Sequence, residues 1–184
     1  MKLLAFAASN SSKSINKKLI RYAVSFVDNA QVEILDINDY EMPLYSEDRE
    51  TELGLPVKAK EFYRKLGEAD AIMIAFAEHN GHYTAAYKNL FDWTSRIDMK
   101  VYQNKPMVIL ATSPGPGGAS SVLAVAKASA PFFGADIRAA ISVPNFYDNF
   151  DEESMASSNQ ELADEMKTAV RLLYQPFAAR ALTS

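Results

Sequence analysis

The chain has 184 residues, 48% hydrophobic and 23% charged, which is enough apolar material for one domain over residues 1–184 with a core of its own. A net charge of -4 excludes the broad basic face that a nucleic-acid binder needs to neutralise phosphates. There are no cysteines, which excludes a disulfide framework, a thiolate metal site and a cysteine nucleophile, and makes a reducing, cytoplasmic compartment the expectation.

The opening, MKLLAFAASNSSKSINKKL, has the positive start and apolar run of a secretion signal. A signal core needs about 7 to 15 apolar residues, however, and here Ser9 ends the run after Ala8. The run reads instead as a strand buried on both faces, because an amphipathic helix follows it. In that helix Ile15, Leu19, Tyr22, Ala23 and Phe26 recur at helical spacing, with Lys17, Lys18 and Arg21 toward the other side. Residues 32–37 make a second strand. The acidic segment 41–55, with Glu41, Glu47, Asp48, Glu50 and Glu52, is a surface excursion or a lid over a substrate. A helix carrying Phe62, Tyr63 and Leu66 leads to a third strand over 71–76. Residues 84–96 are helical, with Phe91 and Trp93 in a core-facing stripe and Asp92 and Arg96 one turn apart as a surface ion pair. A fourth strand over 107–112 precedes a helix over 120–133, and a fifth spans 137–143. A second acidic cluster, Asp151, Glu152 and Glu153, reads as solvated loop. The last helix carries Leu162, Met166, Ala169, Val170 and Leu173. No apolar stretch reaches the roughly 18 residues of a membrane span, so no membrane partner is expected.

Near-continuous apolar strands alternating with amphipathic helices imply an α/β fold with a parallel sheet covered on both faces and right-handed crossovers. The expected architecture is a flavodoxin-like doubly wound sheet of five strands in the order 2-1-3-4-5. Ligands of such sheets lie beyond the carboxyl ends of the strands, where the strand order reverses. Three turns there are rich in small or polar residues.

The first, Ser9 to Asn16, places hydroxyls and consecutive amides at the positive end of a helix, which suits a phosphate; Ser14 is equally a helix N-cap. No Walker lysine pattern is present, which disfavours nucleoside triphosphate hydrolysis. The second, Ala77 to Thr84, contains Asn80-Gly81. Because a helical pattern follows and no partner strand, Gly81 reads as a point of close backbone approach to a ligand and not as a hairpin turn. His79 and His82, the chain's two histidines, have neither cysteine nor a carboxylate cluster at ligand spacing, so no metal is expected. The third, Thr112 to Ser120, lacks both the G-x-G-x-x-G dinucleotide spacing and a G-x-S-x-G elbow. It is a side-chain-poor turn able to lie against a flat ring, or an ordinary strand-to-helix connection.

Together the three turns resemble the NADPH-dependent FMN reductase family, which includes quinone, chromate and azo-dye reductases. The family's G-S-x-R-x-x-S-x-N motif is matched at Ser9, Ser14 and Asn16, with Ala8 in place of glycine and Ser11 in place of arginine. Its P-E-Y-N-G-S-Y-P signature is matched at Glu78, Asn80, Gly81 and Tyr83, with Ala77, His79, His82 and Thr84 as departures. Lys88-Asn89-Leu90-Phe91-Asp92-Trp93 is similar to its K-N-x-x-D-W helix, and the turn from Ser113 to Gly118 to its third loop.

The resemblance implies FMN as cofactor and NADPH or NADH as co-substrate. The phosphate would rest on Ser9, Ser11, Ser14, Ile15 and Asn16. The ring would lie between Glu78, His79, Asn80 and Gly81 on one side and Ser113, Gly115, Gly117 and Gly118 on the other. Hydride would pass through flavin N5 to a quinone, free flavin or similar small acceptor in a ping-pong cycle, with no obligatory catalytic side chain. A homodimer or homotetramer is implied as well. Two other readings stay open: a flavodoxin-type electron carrier, and a degenerate, flavin-free interaction protein.

Overall fold

A computed structural model of the chain describes residues 1–151 and 156–175. Five strands, β1 (Lys2–Ala8), β2 (Gln31–Leu35), β3 (Ala71–Phe76), β4 (Lys105–Thr112) and β5 (Ala135–Val143), form one parallel sheet in the order β2-β1-β3-β4-β5. The expected order is therefore the one found. Among the described residues six helices of seven residues or more surround the sheet, α1 (Ile15–Val24), α2 (Glu47–Leu53), α3 (Val57–Glu68), α4 (Ala85–Ser95), α5 (Ser120–Ser129) and α6 (Gln160–Leu172), and a single helical turn, Phe146–Asn149, follows β5.

Side chains alternate across a strand, so each strand feeds two cores. Leu4, Phe6, Ile72, Ile74 and Ile109 face α3, α4 and α5, where Phe62, Tyr87 and Val122 meet them. Leu3, Ala5, Met73 and Val108 face α1 and α6, against Leu19 and Met166. The central strand β3 is buried at every position, which explains its unbroken apolar run. The edge strand β2 leaves Ile34 48% exposed.

Segment 41–55 is irregular only as far as Ser46 and then forms α2. Ser46 caps α2 by accepting the Arg49 N–H at 3.2 Å, Glu47, Asp48 and Glu50 favour its positive end, and Gly54 at φ +67° terminates it. No residue of α2 is buried, so it has no apolar period to reveal it. The segment is fastened to α4 by side chains. Asn89 Nδ2 donates to the carbonyls of Met42 (3.1 Å) and Pro43 (3.2 Å), and Asn89 Oδ1 accepts the Tyr45 N–H at 2.8 Å. The buried Trp93 donates its indole N–H to Pro43 O at 2.7 Å, and Arg96 Nε bonds Glu50 at 2.9 Å. Arg96 thus pairs with Glu50 and Asp92 with Lys88 (2.6 Å), which corrects the expected Asp92–Arg96 pair.

Two other expectations change. Asn80 (φ +53°) and Gly81 (φ +77°) do form a hairpin turn, joining the two-residue strands Glu78–His79 and His82–Tyr83. The helix expected over 120–133 leaves α geometry at Ser129, and a single tight turn follows at Ala130–Phe133, where Pro131 has no amide to donate. Of the second acidic cluster, Asp151 is exposed, while Glu152 and Glu153 lie outside the described residues.

Candidate functional site

Because all five strands are parallel, their carboxyl ends share one edge, and β1, β3 and β4 are consecutive neighbours there. The turns that follow them are held together by side chains bonding main-chain atoms.

The first turn enters α1 at Ser14, which is buried and extended (φ -61°, ψ 125°) and makes no side-chain capping bond. Its hydroxyl is therefore not used in the way an N-cap serine usually is. Ser9 is also buried, and its Oγ accepts the Ser11 N–H at 3.3 Å, curling the turn; Ser11, Ser12 and Lys13 are exposed. The first turn of α1 carries no acidic residue, so nothing there cancels the positive end of its dipole. Lys17 points toward β2 and bonds Asp36 at 2.7 Å. Burial opposes ionisation of Asp36, but the Lys17 ammonium and the Asn38 N–H outweigh it and hold the carboxyl below its ordinary value.

Asn16 is buried and braces the turn. Its Nδ2 donates to Thr112 O at 3.2 Å and its Oδ1 accepts the Thr112 N–H at 3.1 Å, fixing the first turn to the end of β4. Thr112 Oγ1 in turn donates to Val143 O on β5 at 2.7 Å. Thr84 makes a similar tie: it caps α4 by accepting the Tyr87 N–H at 3.2 Å and donates to Ala8 O, the last residue of β1, at 3.0 Å. The family's proline at this position has no hydroxyl for either bond.

Glu78 reaches across to α5, whose N-cap, Ala119, is left-handed (φ +56°) and has no capping side chain. The Glu78 carboxylate accepts the Val122 N–H at 2.9 Å and does the capping from 44 residues away. The hairpin tip is thereby held over the N-terminus of α5, with Gly81 facing Ser121. Tyr83 points down between α4 and α5, its hydroxyl 3.2 Å from Ser129 Oγ, and burial raises its ionisation above the ordinary value.

In the third turn, Ser113 Oγ donates to Gly115 O at 3.1 Å, and the carbonyls of Gly115 and Ser113 accept the amides of Asn145 and Phe146. Gly118 (φ +58°) packs inward: a Cβ there would lie 2.9 Å from the Pro144 nitrogen, and Ser142 Oγ donates to its carbonyl at 2.9 Å. Gly115 and Gly117 differ, since a Cβ at either would meet nothing within 4 Å, so this part of the turn offers an open, side-chain-free surface.

Of the residues singled out from sequence, Ser9, Ser11, Ser14 and Ile15 form the hydroxyl- and amide-lined mouth of α1. His79, Asn80 and Gly81 form the exposed hairpin tip, and Ser113, Gly115 and Gly117 the open part of the third turn. Asn16, Glu78 and Gly118 hold these parts in place through bonds to main chain or tight packing. Sequence reasoning missed the bracing roles of Thr84, Thr112 and Asn89; the only signal for Thr84 was its position just before an apolar helical run. The donor set fits a phosphate monoester with a flat ring: hydroxyls and amides at an uncancelled helix N-terminus, beside a glycine surface that a Cβ would occupy.

The sequence profile of the NADPH-dependent FMN reductase family matches residues 1–148. An NAD(P)H-dependent FMN reductase of Pseudomonas aeruginosa is 33% identical over 116 residues, covering 62% of this chain and 61% of that protein. An NADPH:quinone oxidoreductase of Arabidopsis thaliana is 33% identical over 125 residues, covering 66% and 62%. The match thus spans about three fifths of the length of these two relatives. In structure, the flavoenzyme NAD(P)H:(acceptor) oxidoreductase FerB of Paracoccus denitrificans superposes with a TM-score of 0.73 over 94% of each chain at 22% identity, a likeness of fold. With four fifths of its length matched and the family's three strand-end turns assembled at one edge, the chain belongs to the NADPH-dependent FMN reductase family.

Proposed function

We propose that the chain is an NAD(P)H-dependent oxidoreductase that holds FMN at the carboxyl edge of its sheet and reduces a quinone, free flavin or similar small acceptor. When bound, the flavin supplies the redox chemistry, accepting hydride from NADPH or NADH and delivering it to the acceptor in a ping-pong cycle through N5. The residues of the chain bind and orient. The hydroxyls of Ser9, Ser11 and Ser14 and the first amides of α1, which have no intrahelical acceptor, take the phosphate. The hairpin tip at His79 to Gly81 and the open glycines Gly115 and Gly117 flank the ring with main-chain amides, which suit negative charge developing there. No side chain of the site is assigned a proton transfer. A cytoplasmic homodimer is part of this reading.

The observation that carries it is the pair of ties from Asn16 to Thr112 and from Thr84 to Ala8, which hold three turns from distant parts of the chain at one edge. The test is to titrate the flavin-free protein with FMN by calorimetry and then follow NADPH oxidation with benzoquinone present. The expected result is saturable one-to-one binding and turnover that requires both FMN and quinone. Absence of binding at saturating FMN, or tight binding without turnover of pyridine nucleotide, overturns the proposal.

A further inference from the structure

Helices α3, α4 and α5 lie on one face of the sheet, and α1 and α6 on the other. A helix about 10 Å across spans about two strands. Two helices therefore leave one strand of five mostly bare. On that face α1 packs on β1, β3 and β4 and α6 packs on β5, so the uncovered strand is β2, where Ile34 is 48% exposed. The gap between α1 and β2 forms a cavity of about 230 Å³. None of its lining residues belongs to the three strand-end turns assigned to the cofactor.

The lining decides what the cavity can take. Lys17 and Arg21 are four residues apart and so lie on one face of α1, both at the cavity. Lys17 Nζ bonds Asp36 at 2.7 Å, and the Asp36 carboxylate also accepts the Asn38 N–H at 3.1 Å, so that carboxylate is satisfied within the chain. Arg21 is exposed and has no hydrogen bond or ion pair among the described residues. Two cations and one anion leave a single positive charge at the rim. The other four lining residues, Ala7, Ile20, Ile34 and Leu35, are apolar, which suits a ligand that is charged at one end and greasy at the other.

A free guanidinium pairs best with a carboxylate, in a two-bonded fork. A phosphate dianion or a dicarboxylate would bring its second charge against Asp36, and a cation would meet Lys17 and Arg21. The volume is below the about 300 to 1,000 Å³ of pockets for drug-sized ligands, which limits the apolar body to one ring or a short branched chain. We propose that the cavity between α1 and β2 binds small monocarboxylates of this kind, with Arg21 taking the carboxylate and Ile34 the apolar body. The site stands apart from the flavin reading, because the two share no residue.

The test titrates phenylacetate into the full chain and follows amide proton–nitrogen NMR shifts, with acetate as the probe that lacks the apolar body and 2-phenylethanol as the probe that lacks the charge. The expected result is saturable shifts at residues 17–21 and 34–36, with a Kd for phenylacetate about tenfold or more below that of either probe. Arg21→Gln, which removes a charge-assisted bond, is expected to raise that Kd about tenfold or more. Ile34→Gln, at an exposed position, is expected to raise it as well, with the rest of the spectrum unchanged. Asp36→Asn removes the competing carboxylate but keeps an oxygen for the Asn38 N–H, and is expected to tighten binding, a gain that no loss of folded protein produces. The proposal is overturned by absence of saturable binding at millimolar phenylacetate, or by a Kd unchanged in Arg21→Gln or Ile34→Gln or not lowered in Asp36→Asn. It is overturned equally if acetate binds as tightly, which marks an adventitious ion only, or if 2-phenylethanol does, which marks an uncharged cleft. Mutual displacement of phenylacetate and FMN would place the ligand at the mouth of α1 and also overturn it.

Discussion

Both ends of the Asn16 side chain are bound to one residue, Thr112: Nδ2 donates to its carbonyl at 3.2 Å and Oδ1 accepts its N–H at 3.1 Å, across 96 residues of chain. Both residues are buried, so truncation at Asn16 strands two main-chain groups that water reaches poorly. Asn16→Ala is expected to cost about 2 to 6 kcal/mol, from roughly 1 to 3 for each of the two orphaned groups. In urea unfolding the midpoint falls while the m-value holds. A loss below about 0.5 kcal/mol, the range of neutral surface changes, would show that the amide is not the brace described.

Glu78 caps a helix to which it does not belong. Glu78→Ala is expected to destabilise the fold by about 0.5 to 2 kcal/mol, the usual value of an N-cap. Glu78→Gln keeps an oxygen acceptor for the Val122 N–H and should recover more than half of that. Equal losses in the two variants on thermal unfolding would assign the effect to charge and not to the hydrogen bond.

Tyr87 and Tyr102 share a hydroxyl–hydroxyl bond of 2.6 Å in the core beneath α4. Burial, the largest cause for both, pushes their ionisation well above the ordinary tyrosine value. A raised folded pKa means that the unfolded chain gives up protons which the folded chain keeps. Stability is therefore intact below about pH 10 and falls above it, by about 1.4 kcal/mol per pH unit for each such hydroxyl. Measured between roughly pH 10.5 and 11.5, the decline should be shallower by that amount for each hydroxyl removed in the Tyr87→Phe/Tyr102→Phe double variant. Parallel wild-type and variant profiles would contradict the assignment.

Ser11 is exposed and stands where the family has arginine. An added guanidinium at the mouth of α1 should strengthen FMN binding about tenfold to a hundredfold, the equivalent of roughly 1.5 to 3 kcal/mol for a charge-assisted bond. The same change should make binding more sensitive to salt. Calorimetry on Ser11→Arg at two ionic strengths is the measurement, and an unchanged Kd would place the phosphate elsewhere.

A homodimer is the expected assembly. Light scattering at micromolar concentration should give about twice the mass of one chain, and a monomer at that concentration refutes it.

The sheet was readable because its strands are buried on both faces and carry unbroken apolar runs such as Ala71–Phe76. The helices that bury a stripe were readable for the same reason. α2 was not, because it buries nothing: its signals are only a serine cap, an acidic first turn and a terminating glycine. The hairpin was missed because its strands are two residues long, too short for alternation to show, although Asn80-Gly81 is the dipeptide such a turn prefers. The three turns were visible as small, polar interruptions at strand ends. What joins them was not, since Asn16, Thr84 and Glu78 find their partners 96, 76 and 44 residues away and nothing local names the acceptor.

Those three ties also divide the chain into positions that mutation can and cannot break. In each, one partner contributes a side chain and the other only its peptide group. Thr112, Ala8 and Val122 can exchange their side chains for others of similar bulk without disturbing the tie itself, whereas Asn16, Thr84 and Glu78 can be replaced only by the few side chains that keep the bonding atom in place, such as glutamine at position 78. Sequence drift along the inner strands is thus compatible with an unaltered rim, and a variant library should show tolerance and intolerance facing each other across the same hydrogen bond.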